Sequence, residues 1–378
     1  MNQVFAIVAL LSCAWYVYFV LSARFGLRHA ASVQPNTAIQ PSVTILVALK
    51  NEEHNVARLT GSLSSQDYPT GKLQIILVDD ASTDGTKTQL QEFAKRDSRA
   101  RLVSAPVPPT NTASVTGGKA RALAEGIRIA SGEILLMTDA DCEPAPSWAK
   151  TMAGMFEESV AYVVGPVAER SPGLFGAVKA LDYFGVVATS AGKIGMGNPV
   201  NSLGANVAFR KSVYERAGGF ALDRRLGDEE YLMHAVHERG LGRVLFCAHP
   251  EAKVITHGNN SIKDFWNQRV RWASMKDRYP RKGILLELFA VFIFFLTIIA
   301  AAVLSVVDSS SLTLLGITLF SKIIADAAAL YSAGTILEEK ISFGTFLLSE
   351  LVHVPFVVIV VIAAQVSAVR WKVRSVPV

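Results

Sequence analysis

Two apolar blocks, one at each end of the chain, limit what can lie between them. Residues 4–21 carry no charged side chain and are almost continuously apolar. About twenty such residues suffice to cross a bilayer as a helix. Towards the other end, residues 284–307, 312–332 and 343–369 are three further apolar stretches. The chain of 378 residues is 51% hydrophobic and 18% charged, with mean hydropathy +0.32, too apolar for an ordinary soluble protein. We therefore expect a membrane anchor over residues 1–25, about three transmembrane helices over 283–370, and a globular domain over 36–282 between them.

The flanks orient these segments. Trp15, Tyr16 and Tyr18 lie late in the first run, and Arg24 and Arg28 follow it. A cleaved signal peptide carries its basic residues before the apolar run, so an uncleaved anchor is the better reading. Basic residues at the membrane edge favour the cytoplasmic side, and Arg278, Arg281 and Lys282 repeat the signal before the second block. One anchor plus three spans would put the carboxyl terminus outside, yet Arg370, Lys372 and Arg374 argue for inside. Pro355 as the tip of a hairpin would resolve this, and so would a failure of the charge bias. Lys322, Asp326, Glu350 and His353 interrupt the apolar stretches and should face other helices or a polar interior. The net charge of +5 has no dense basic run, which excludes nucleic acid as an expected partner and leaves a membrane surface. Cys13, Cys142 and Cys247 have neither metal-ligand spacing nor a paired framework, which fits a reducing compartment.

Between the blocks, short apolar runs alternate with helical patterns. Residues 43–48, 73–78 and 134–137 read as buried strands and 101–104 as a further strand, with helices to about residue 65, from the Ser82-Thr83-Asp84-Gly85 start, and from Thr116-Gly117-Gly118-Lys119 to about residue 130. Such alternation predicts an α/β domain with a mostly parallel sheet covered on both faces. Three of these strands end in acids or amides: Asn51 and Glu52, Asp79 and Asp80, Asp139 and Asp141. Ligands bind at the carboxyl edge of open α/β sheets, so three such ends on one edge imply a recognition pocket. Asp139 and Asp141, one residue apart before Pro144 and Pro146, offer hard oxygen donors suited to Mg²⁺ or Mn²⁺. An exposed Asp-rich turn is the alternative. The glycines before Lys119 allow an anion near a helix start, although the Walker spacing is missing and a plain turn is equally compatible.

The succession Ala48-Leu49-Lys50-Asn51-Glu52-Glu53, Val78-Asp79-Asp80-Ala81-Ser82-Thr83-Asp84-Gly85-Thr86, Gly117-Gly118-Lys119-Ala120-Arg121-Ala122-Leu123 and Thr138-Asp139-Ala140-Asp141 resembles the family 2 glycosyltransferases. The resemblance implies a GT-A fold (Rossmann-like, with a mostly parallel mixed sheet) in the cytoplasm, joined to transmembrane helices. It also implies inverting transfer from a nucleotide-diphosphate sugar, a UDP-sugar before others. On it, Ala48, Asn51 and Glu52 border the nucleoside pocket, Asp79 and Asp80 contact base or ribose, Lys119 lies near the diphosphate, and Asp139 and Asp141 hold the metal.

The second half supplies the acceptor side. Residues 148–157 read as a helix, 160–167 as a strand and 174–190 as a helix, after which Gly192, Gly195, Gly197 and Pro199 suggest a lid or a linker. Gly204-Ala205-Asn206-Val207-Ala208-Phe209-Arg210 resembles the family stretch beside donor sugar and acceptor, with Ala205 replacing a common Gly, and places Asn206 there. Asp228, Glu229 and Glu230 open a helix through Arg239, where they either complement its dipole or include the base that deprotonates the acceptor. The family's Glu-Asp-X-X-Leu pattern sets the base at Glu229, which is a Glu where Asp is usual, and leaves Asp228 as the other candidate. Residues 243–247 and 253–256 are strand-like, and His257 after them is an ordinary loop histidine before it is a metal ligand. An amphipathic helix then carries Phe265 to Trp272, interleaving aromatics and Arg as an interfacial anchor would. Gln268-X-X-Arg271-Trp272 is also similar to the motif of membrane-embedded family 2 enzymes, among them ceramide glucosyltransferases and polysaccharide synthases. There Gln268 and Trp272 would serve the acceptor and Arg271 the diphosphate. A lipid acceptor at a bacterial inner membrane is the leading expectation. A glycan acceptor of a processive synthase, a non-catalytic nucleotide-binding scaffold and a nucleotidyltransferase are the alternatives.

Overall fold

A computed structural model describes residues 3–105, 118–220, 228–258, 261–274, 282–366, 369–371 and 374–376, without the side chain of residue 228 or those after residue 365. The chain divides into two compact units, Leu27–Arg170 with Lys193–Gly258, and Met1–Gly26 with Ser171–Gly192 and Asn259–Val378. Residues 171–192 and 261–274, expected in the globular domain, thus group with the apolar helices.

Helix α1 runs Gln3–Ser32, beyond the anchor expected over 1–25. In the globular unit, β1 (Val43–Leu49), α2 (Glu53–Ser64), β2 (Leu73–Asp79), α3 (Thr86–Arg96), β3 (Ala100–Ser104), α4 (Gly118–Ile129) and β4 (Ile134–Met137) alternate as the apolar periodicity predicts. Strands β1, β2 and β4 are buried almost throughout, as strands covered on both faces must be, whereas the edge strand β3 is largely open. Short pieces follow: β5 (Cys142–Pro144), α5 (Trp148–Ala153), β6 (Val160–Val164) and β7 (Val167–Glu169). After α6 (Gly173–Gly195) come β8 (Val207–Arg210), α7 (Lys211–Arg216), α8 (Asp228–Glu238), β9 (Arg243–Phe246) and β10 (Val254–Thr256).

Seven strands form one mixed sheet in the order β3-β2-β1-β4-β8-β6-β9, and β5, β10 and β7 form a second sheet. Strands β3, β2, β1 and β4 are parallel, and β8 runs antiparallel between β4 and β6. The order reverses at β1, which pairs with both β2 and β4, and open α/β sheets bind ligands beyond the carboxyl ends of the strands at such a point. The single strand expected over residues 160–167 is two, in different sheets. The break is Gly165-Pro166, where proline has no N–H for the ladder.

The other unit contains α9 (Ile262–Ser274), α10 (Lys282–Leu304), α11 (Ser309–Ile336) and α12 (Phe343–Val366), followed by the short hairpin β11 (Val369–Trp371) and β12 (Arg374–Val376). Five helices among the described residues are long and apolar enough to cross a membrane: α1, α6, α10, α11 and α12. Helix α6 falls where the sequence suggests a helix over residues 174–190, and its sequence contains Lys179 and Asp182. Gly192 and Gly195 belong to α6 rather than to a loop. A Cβ at Gly192 would lie 2.0 Å from the Ala23 carbonyl oxygen, so only glycine permits this approach of α6 to α1. Pro355 lies inside α12, which continues through it, so there is no hairpin at that point. The intramembrane charges do face one another. Lys322 donates to Asp326 at 2.8 Å and to Glu350 at 2.6 Å, and the Tyr16 hydroxyl donates to Asp326 at 2.7 Å. Such pairing offsets the cost of removing charged groups from water.

Candidate active site

The parallel register fixes the site. Leu49 of β1 pairs with Asp79 of β2, and Leu46 pairs with Met137 of β4, so the segments after all three strands emerge on one edge. Val207 of antiparallel β8 pairs with Met137, which brings Asn206 to the same edge. Ala48 lies half-buried beside Val78.

Polar turns close over this edge. Asn51 adopts a left-handed conformation (φ 54°), which Asn tolerates better than most residues. Its Oδ1 accepts from the Thr83 backbone N at 2.8 Å, and its own N–H donates to Ser82 Oγ at 3.0 Å. The Glu52 N–H donates to Thr86 Oγ1 at 2.8 Å. Asp79 is buried and accepts from the Ser82 N–H at 3.2 Å. Asp80 accepts from Arg121 at 2.8 Å and lies 3.6 Å from Lys50. These contacts knit the turns after β1 and β2 into one wall.

At the centre is Lys119, in the first turn of α4. Its Nζ donates to Asp139 at 2.6 Å and to Glu229 at 2.8 Å. Glu229, 110 positions after Lys119 in sequence, therefore shares this ammonium with Asp139. Burial works against that charge, but the carboxylates of Asp139 and Glu229 outweigh it and hold the pKa of Lys119 well above its ordinary value. Glu229 is itself fixed from behind. Tyr162 on β6 donates to the Glu229 carbonyl at 3.1 Å, and a Cβ at Gly204 would come within 2.8 Å of its carboxylate.

Asp141 lies beside this cluster. Burial, with the neighbouring charges of Asp139 and Glu52, pushes its carboxyl up to about 6. His257 donates its backbone N–H to the Asp141 carbonyl at 3.2 Å, and its ring approaches Glu143 at 3.1 Å. No group of three or more His, Cys, Asp or Glu poised for a metal occurs among the described residues. Two carboxylates suffice for Mg²⁺ or Mn²⁺ when substrate phosphates complete the shell. The crowded negative charge that raises Asp141 is the field a divalent cation relieves, so the residues fit one once Lys119 yields Asp139.

Asn206, expected beside the acceptor, is completely buried. Its Nδ2 donates to the carbonyls of Pro166 and Ala252, both at 2.8 Å, and its Oδ1 accepts from Trp148 Nε1 at 2.8 Å. A Cβ at Gly165 would lie 2.3 Å from that amide. The side chain thus braces the break between β6 and β7.

The globular unit brings together Asn51, Glu52, Asp79, Asp80, Lys119, Asp139, Asp141 and Glu229. The backbone of Asp228 begins α8, and its side chain lies outside the described residues, as does Gly117. Gln268, Arg271 and Trp272 lie on α9 in the other unit. Arg121 and Tyr162 escaped the sequence reading. Arg121 had a signal, a second cation two residues after Lys119, whereas Tyr162 looks like any core aromatic.

Residues 44–228 match the profile of glycosyl transferase family 2. A beta-monoglucosyldiacylglycerol synthase from Nostoc sp. (strain PCC 7120) is 35% identical over 117 residues, 31% of this chain and 24% of that protein. The chain therefore aligns with about a quarter of that relative's length. A poly-beta-1,6-N-acetyl-D-glucosamine synthase from Staphylococcus epidermidis is 26% identical over 238 residues, 61% of this chain and 53% of that protein. Among solved structures, a mannosyltransferase from Pyrobaculum calidifontis in complex with GDP-Man and Mn²⁺ superposes with a TM-score of 0.59 at 20% identity. That alignment covers 96% of this chain and 98% of the other, and establishes the shared fold.

Proposed function

The chain belongs to glycosyl transferase family 2, with a GT-A fold and apolar helices of a membrane protein, and on that premise we propose inverting transfer of a sugar from a nucleotide-diphosphate donor to a membrane-associated lipid hydroxyl. The observation that carries this reading is the Lys119 bridge. It joins the paired-acid turn after β4 to the first turn of α8, so a donor-side group and a candidate base share one cluster.

In the proposed reaction the acceptor oxygen attacks the anomeric carbon from the face opposite the departing diphosphate. The acceptor's proton passes to Glu229, whose carboxylate is held by the Tyr162 contact to its backbone and by Lys119. Asp228, one residue earlier in the same turn, is the other candidate base. The C–O bond to the diphosphate breaks as the new bond forms, and Lys119 offsets charge arriving on the leaving group. Asn51, Glu52, Asp79 and Asp80 line the edge where the nucleoside would bind, and Gln268, Arg271 and Trp272 keep the diphosphate and acceptor roles the resemblance gives them. A divalent cation, Mg²⁺ or Mn²⁺, held by Asp139 and Asp141 would neutralise phosphate charge.

The diacylglycerol-type relative supports the lipid acceptor, and the Mn²⁺ complex of the mannosyltransferase supports the cation. The polymer-forming relative favours a second reading, processive synthesis. Basic flanks at Arg24, Arg28, Arg278 and Lys282 support a cytoplasmic catalytic unit at a bacterial inner membrane. The test is to incubate the purified chain in detergent with several nucleotide sugars and a bacterial lipid extract, and to read product mass. One sugar increment supports lipid glycosylation, a ladder supports processive synthesis, and no turnover of any donor rejects the enzyme reading. Asp141→Ala should abolish divalent-dependent turnover, and undiminished activity would remove the metal role.

A further inference from the structure

The Gln-X-X-Arg-Trp segment contains a second arginine to which its spacing assigns nothing. Arg269 is buried although its guanidinium is always charged, and burying such a group requires a partner. The partner is Asp182 on α6. Arg269 Nε donates to Asp182 Oδ2 at 2.7 Å, and a terminal nitrogen lies 2.5 Å from the same oxygen, with the two side chains 8% and 20% exposed. The guanidinium carbon sits 4.3 Å from the Trp272 ring centroid and 4.8 Å from that of Phe265. Arg269 also donates to Gln268 Oε1 at 3.1 Å. It therefore touches the first and last residues of the motif at once. Phe265, Arg269 and Trp272 stand at i, i+4 and i+7, one face of α9.

Val270 packs with Val360 and Ala364 of α12, and the rings of Phe265 and Phe356 stack with centroids 5.2 Å apart, which docks α9. The Arg269 guanidinium then lies against the Trp272 indole itself. Tyr183, next to Asp182 on α6, also approaches Trp272, with centroids 5.8 Å apart.

We propose that Asp182 and Arg269 are positioning residues, which hold the Trp272 indole and the Gln268 amide in the orientation that receives the acceptor. This rests on the glycosyltransferase reading for its kinetic consequence and on geometry alone for the orientation. Asp182→Asn keeps the shape of the carboxylate and removes its charge. Arg269→Lys keeps the charge and removes the planar stack.

The test uses the full chain in detergent, with UDP-glucose and GDP-mannose as donor probes and a bacterial lipid extract as the acceptor probe. Both substitutions should raise the apparent KM for the lipid extract about tenfold, the order of one desolvated charge–ring contact, while the donor KM moves less than twofold. Asp182→Glu should restore most of the loss. Equal movement of donor and acceptor KM, or no movement of either, overturns the proposal. A second readout needs no turnover. Acrylamide quenching of the emission difference between each chain and its Trp272→Phe counterpart reports that indole directly. Quenching should increase in Asp182→Asn and Arg269→Lys, and unchanged quenching in both overturns the proposal. If no donor is turned over by the parent chain but quenching still responds, the functional reading fails and the positioning survives.

Discussion

Lys119 offers the sharpest test of the site, because one ammonium is shared by two carboxylates of unequal exposure. The side chain of Glu229 is 11% exposed, that of Lys119 30% and that of Asp139 36%. Replacing Lys119 by Met leaves Glu229 enclosed without its counter-ion. Losing a hydrogen bond to an enclosed charged group removes about 1.5–3 kcal/mol. The Asp139 contact is exposed enough for solvent to screen, and adds about 1 kcal/mol at most. Lys119→Met should therefore destabilise the globular unit by about 2–3 kcal/mol, and for a domain of this size about 2–4 °C of melting temperature goes with each kcal/mol. Glu229→Gln removes the enclosed charge while Lys119 keeps Asp139, so it should cost about 1 kcal/mol. In the double variant the stranded carboxylate no longer exists, and the two effects should fall short of their sum by about 1–2 kcal/mol. Thermal unfolding of the four chains in detergent, followed by intrinsic fluorescence, reads this directly. A double variant whose melting temperature equals the sum of the two single shifts would refute the bridge as an energetic unit.

Three further outcomes follow from the same geometry. Glu229→Gln should lower transfer by about 10²- to 10⁴-fold, the range for losing a general base, with Asp228→Asn as the comparison that assigns the role. Asn206→Ala strands Trp148 Nε1 and two carbonyls at the break between β6 and β7, so it should cost about 3 kcal/mol and be read as a melting shift, not as a change in acceptor KM. Asp141 has its carboxyl pushed up to about 6 from an ordinary 3.8, so the folded chain holds that proton more tightly than the unfolded one. Its contribution therefore favours folding at low pH and is lost as pH rises through about 6. With chelator present, Asp141→Asn should gain more melting temperature over the parent at pH 7 than at pH 5, and an equal gain at both would contradict the assigned electrostatics.

Sequence alone determined the elements whose signal is local. The runs at residues 43–48, 73–78 and 134–137 became buried parallel strands because a strand covered on both faces has to be apolar throughout, and acids directly after such strands can only emerge on the sheet edge. The apolar blocks at both ends likewise announced helices long and apolar enough to cross a membrane, because about twenty consecutive apolar residues have few other fates. What remained hidden depended on partners far away in the chain. Nothing near Lys119 says that Glu229 will share its charge, and nothing near Asn206 says that it will be enclosed by Trp148, Pro166 and Ala252. Helix α6 shows the same limit. Asp182 reads as an interruption of an apolar helix until Arg269, 87 residues later, is seen to neutralise it. Local periodicity follows from backbone geometry, which every residue carries with it. The pairing of buried charges follows from the tertiary fold, because only three-dimensional proximity decides which opposite charge is close enough to replace water.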